Sequence, residues 1–67
     1  MKKVYSIRSM KNHGSYSYSV IYNKTVVFTT NRRSELVSVL KADKSRLNKL
    51  GIKMEICTSI SGLKEEI

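Results

Sequence analysis

The residues best suited to chemistry in this chain are cations placed to meet an anion. Arg32 and Arg33 are adjacent and follow Asn31, a good helix N-cap, at the expected start of a long helix. Free N–H groups at a helix N-terminus, joined by two guanidinium groups, suit a phosphate. Cations at the positive end of a helix dipole are otherwise mildly unfavourable, so their presence there points toward an anionic partner. Arg8 and Lys53 alternate onto a strand face with Ser15, Ser17, Ser19, Val27 and Thr29. Hydroxyls and cations on a sheet can contact phosphates and base edges in a DNA groove. Lys11 and Lys24 fall in the turn regions between strands. Together Arg32, Arg33, Arg8, Lys11, Lys24 and Lys53 form the expected phosphate-contacting set, with little base specificity. Lys41, Lys44 and Lys49 share the outer helix face with Ser38, Ser45 and Asn48; this reads first as a solvated face and second as a further phosphate stripe.

Other chemistry is thinly provided. The one histidine, His13, lies in the turn Lys11-Asn12-His13-Gly14, where a turn role is the ordinary one. The one cysteine, Cys57, alternates to the polar side of a strand and has no neighbouring base, which describes an inert thiol. The five carboxylates are scattered, with Glu65 and Glu66 near the end. No paired acids, nucleophile–base motif or glycine-rich phosphate loop is present, so neither enzymatic activity nor a cofactor is expected. One Cys and one His cannot supply four zinc ligands, and no metal site is expected. Tyr16, Tyr18 and Tyr22 share a strand face and could stack bases. That face is also the more apolar one, so core packing is the stronger reading, with Tyr16 and Tyr22 nearer the strand ends and more open.

The elements that must position these residues follow from periodicity. Lys3–Ser9 alternates as a first strand, and Met10–Gly14 reads as a turn region. Ser15–Tyr22 is the cleanest strand, Asn23-Lys24 a two-residue hairpin turn, and Thr25–Thr30 a β-branched third strand. A helix is expected over about 32–50, with Leu36, Val39, Leu40, Leu47 and Leu50 on one face and Gly51 as its stop. Asp43 projects onto that apolar face. An interruption with Asp43 capping a second short helix is the preferred resolution, and pairing with a nearby Lys or Arg is the other. Ile52–Ile60 is a fourth strand, and Ser61–Ile67 is a short helical turn or a frayed end.

The fold class is therefore α+β, in the order β-β-β-α-β. An antiparallel three-stranded meander is joined by a fourth strand, with one helix on one sheet face. The preferred strand order is 3-2-1-4, with strand four parallel to strand one; pairing of strand four beside strand three is the alternative. The helix-facing side is expected to hold Tyr5, Ile7, Tyr18, Val20, Val26, Phe28 and Ile56 together with the helix leucines.

Length and charge set the remaining bounds. Sixty-seven residues are expected to form a single basic domain over 1–67, small enough that self-association would help it. Thirteen Lys and Arg against five Asp and Glu leave a net charge of +8, a field that attracts polyanions. A lone cysteine fits a reducing compartment, and no apolar run reaches signal-peptide or transmembrane length. A cytoplasmic protein without membrane insertion is expected.

Three strands over Lys3–Thr30 followed by a helix from Arg32 loosely resemble the small amino-terminal DNA-binding domains of phage-type integrases, which lay a sheet in the major groove. A fourth strand would depart from that pattern. The small basic chain also resembles accessory proteins that phages encode to bind host factors. The expected partner is nucleic acid, DNA ahead of RNA. The alternative is an acidic host protein engaged through the basic surface or a sheet edge. A homodimer through an edge strand is compatible with both.

Overall fold

Two tight turns organise the sheet. His13 and Gly14 have φ of 51° and 83°, and Asn23 and Lys24 have φ of 53° and 65°. Both central residues of each turn are thus left-handed, the type I′ geometry whose twist matches that of paired strands. The computed structural model describes all 67 residues, and the elements are β1 (Lys2–Asn12), β2 (Ser15–Tyr22), β3 (Thr25–Thr30), α1 (Arg33–Lys49), β4 (Lys53–Thr58) and α2 (Leu63–Glu66). The sheet has the order β3-β2-β1-β4. The first three strands are antiparallel and β4 runs parallel to β1, as the crossover through α1 requires. The fourth strand is the departure from the three-stranded integrase pattern.

The first strand is longer than its apolar alternation indicates. Met10, Lys11 and Asn12 pair with Ser17, Tyr16 and Ser15, so the turn is confined to His13 and Gly14. A second difference lies in β3. Val20 pairs with Phe28 but Ile21 pairs with Val26, leaving Val27 as the extra residue of a bulge. Paired residues share a sheet face, so Val26 joins Ile21 on the face away from α1. Val27 is turned to the helix side, beside Val20 and Phe28. The expected placement of these two valines is reversed.

Helix α1 ends as its sequence indicates and begins differently. Gly51 N–H donates to the Asn48 carbonyl at 3.1 Å and Ile52 N–H to the Leu47 carbonyl at 2.9 Å, the paired bonds of a Schellman motif. At the other end the N-cap is Arg32, whose side chain makes no capping bond; Asn31 is not the cap. Thr30 takes over the turn, its Oγ1 accepting the Arg32 N–H at 3.2 Å at the end of β3.

The core is Tyr5, Ile7, Val20, Leu36, Leu40, Leu47 and Leu63. Val39 and Leu50, expected on the buried stripe, are exposed. Leu63 is fully buried although it belongs to the short tail helix α2, so the tail is packed rather than frayed.

The helix is not broken at Asp43. The Asp43 carboxylate accepts the buried Tyr5 hydroxyl through one oxygen and Arg46 Nε, at 3.1 Å, through the other. Pairing with a nearby arginine is therefore the resolution, and a tyrosine across the core completes it. Burial pushes the Asp43 carboxyl up, but the Tyr5 hydroxyl and Arg46 guanidinium outweigh it and hold it below its ordinary value. Burial, then the Asp43 bond, pushes Tyr5 up. Because the folded Asp43 value is depressed, its stabilisation is present above the unfolded value of about 3.9 and is lost as pH falls below it. Asp43→Ala leaves the Tyr5 hydroxyl without its partner and is expected to cost about 1–3 kcal/mol at neutral pH. Urea melts across the acid range should then show the variant losing less stability than the parent below about pH 4; parallel acid profiles would contradict this role for Asp43.

Candidate nucleic-acid interface

Five of the six expected contact residues separate into two groups by strand direction. On the sheet face away from α1, Arg8 stands in a row with Ser19 and Thr29. Arg8 also lines a shallow concavity with Ser6, Cys57 and Ser59. Lys53 lies on the same face opposite Lys2, six residues along β1 from Arg8, a separation of about 20 Å at 3.3 Å per residue. Lys2 in turn reaches the Glu55 carboxylate at 3.4 Å. Lys24, in the β2–β3 turn, shares the Lys53 end of the sheet.

Lys11 belongs with Arg8. Strand β4 pairs with β1 only as far as Ile7, and β3 pairs with β2 only from Tyr18 onward. Beyond these points Met10–Asn12 and Ser15–Ser17 form a two-stranded ribbon with no further neighbour, in a molecule measuring 41 × 23 × 17 Å. Lys11 Nζ lies 6.0 Å from the Tyr16 ring centroid on one side of this ribbon. Met10, on the other side, is 67% exposed and Tyr16 53%. His13 is at its tip. Arg32 leaves β3 at the level where the ribbon begins, since Thr30 pairs with Tyr18.

Arg33 has a different setting. Its Nε donates to Glu66 Oε2 at 2.8 Å, its guanidinium forms an ion pair with the same carboxylate, and it donates to the Ser61 carbonyl at 2.8 Å. The arginine thereby ties α2 to the start of α1. The two adjacent arginines are thus divided, Arg32 outward and Arg33 toward the tail. The other tyrosines are structural. Tyr18 packs against the core, and the Tyr22 ring lies 5.7 Å from Tyr5 beneath Lys3, whose Nζ is 4.6 Å from the Tyr22 centroid.

The ribbon was not visible in the alternation pattern because both of its sides are exposed. The usable signal is charge. From Met1 to Ser34 there are seven Lys or Arg and no Asp or Glu; Glu35 is the first acid. The whole meander is therefore purely cationic. No family model, curated protein or solved structure matches the chain.

Proposed function

We propose that the protein binds double-stranded DNA through the β1–β2 ribbon and the adjoining open sheet face. The observation that carries this is the acid-free meander whose two-stranded tip projects past the rest of the sheet. The major groove of B-DNA, about 12 Å wide, admits a two-stranded β-ribbon. The deep, narrow major groove of A-form RNA does not admit such a ribbon, which favours DNA. Arg8, Lys11 and Arg32 surround the ribbon and supply phosphate contacts, while Ser17, Ser19 and Thr29 offer hydroxyls. Lys24 and Lys53, at the far end, extend the field without entering the groove. Most of the affinity is electrostatic and sequence-independent.

Cys57 is a free, exposed thiol opposite Ser6 on this open face and shares the Arg8 concavity. Saturating duplex DNA is expected to slow its alkylation by iodoacetamide several-fold. An unchanged rate under conditions where binding is measured would place the duplex on another surface.

A further inference from the structure

The helix-covered side of the sheet holds a second surface, away from the ribbon. Between the middle of α1 and β3 runs an apolar groove of about 400 Å³, walled by Val20, Val27, Phe28, Val39 and Leu40, with the Asp43–Arg46 ion pair at its rim. Val27 and Val39 are 54% and 37% exposed there, so the chain leaves part of this apolar surface uncovered. The bulge is responsible, because it turns Val27 toward the helix where regular pairing would have turned it away. The groove opens beside β3, the outer strand of the sheet, which has no charged residue from Thr25 to Thr30. An uncharged outer strand is an accessible template for another segment, whereas the opposite outer strand, β4, carries Lys53 and Glu55.

Charge decides what occupies it. Lys24 precedes β3 and Arg32 follows it. A second copy laid antiparallel along β3 would bring Lys24 of each chain toward Arg32 of the other. A parallel copy would set like residue beside like residue. Either arrangement adds repulsion to two chains of net charge +8. A segment with acidic residues at its ends and apolar residues between them meets cations at both ends of β3 and fills the groove in its centre. We infer that this groove receives an extended acidic-ended apolar segment of another protein, giving the molecule a protein-docking groove on the sheet face opposite the open DNA-binding face, with Arg32 common to both surfaces.

The test follows amide chemical shifts of the protein during titration with a degenerate pool of peptides that have aspartate and glutamate ends and centres of valine, isoleucine, leucine and phenylalanine. Two control pools carry lysine ends or serine centres. Shifts are expected at Val27, Phe28 and Val39 with the acidic-ended apolar pool alone. Val39→Glu, a substitution at an exposed helix position by a good helix former, should weaken that response at least about tenfold while duplex DNA still shifts the ribbon residues. Three results would overturn the inference: no groove shifts at millimolar peptide, an equal response to the lysine-ended pool, or concentration-dependent groove shifts without peptide, which would assign the groove to a second copy. DNA binding is read on different residues, so either reading can fail without the other.

Discussion

Replacing Leu63 by alanine is expected to remove about 2–5 kcal/mol of stability, the usual cost of truncating a fully buried leucine. A chain of this length has only about 3–10 kcal/mol to lose at 0.05–0.15 kcal/mol per residue, so the substitution should take a large share of the total and lower the melting temperature markedly. The size of the effect follows from position. Leu63 has no exposed surface and belongs to the same core as Leu36, Leu40 and Ile7, although it comes from a helix of four residues. Arg33 holds that helix from outside through Glu66 and Ser61. Leu50→Ala is the matched comparison, because Leu50 is 63% exposed and its loss should cost less than about 0.5 kcal/mol. Thermal melts of the two variants should differ widely. Equal, small shifts would show that the tail is not part of the core.

Neutralising the ribbon is expected to have the largest effect on DNA affinity. The variant Arg8→Gln, Lys11→Gln, Arg32→Gln removes three exposed cations while keeping unbranched polar side chains. Each phosphate contact contributes a salt exponent of about 0.9, so each is worth roughly eightfold at 0.1 M relative to 1 M salt. Loss of three contacts should weaken duplex binding on the order of 10²–10³-fold and flatten the salt slope by about 2.7. The comparison variant Lys24→Asn, Lys53→Gln removes two cations at the far end of the sheet and should lose about tenfold or less. Asparagine is chosen for Lys24 because the residue there must keep φ near 65°. Losses that scale only with the number of charges removed, three against two, would mean that net charge rather than the ribbon carries binding.

Much of this architecture is legible in the residues, and the parts that are not share a cause. The bounds of β2 and β3 follow from two-residue alternation around Asn23-Lys24, and the end of α1 follows from Gly51 and Ile52. Short connections and one helical crossover favour the observed strand order, and the pairing of β4 with β1 rather than β3 decides it. Local pattern fails where the decisive partner is distant. Asp43 looks like a helix breaker because its partner, Tyr5, is 38 residues away. Leu63 looks like a frayed end because a single turn has no periodicity to read. The bulge at Val27 depends on the register of β3 against β2, which neither strand reveals by itself. For the candidate interface, the basic residue types are evident at once. Their division into a ribbon group and a far group depends on strand direction and on where β3 and β4 stop pairing. Arg33 could be told from Arg32 only by its contacts with Glu66 and Ser61.

The most direct test of the central claim is a titration of labelled duplex DNA, single-stranded DNA and duplex RNA with the purified protein at two salt concentrations, alongside the ribbon variant. The account predicts tightest binding to duplex DNA, a steep fall in affinity between the two salts, and loss of both in the ribbon variant. Absence of binding at low salt, or binding that the ribbon variant retains in full, would contradict it.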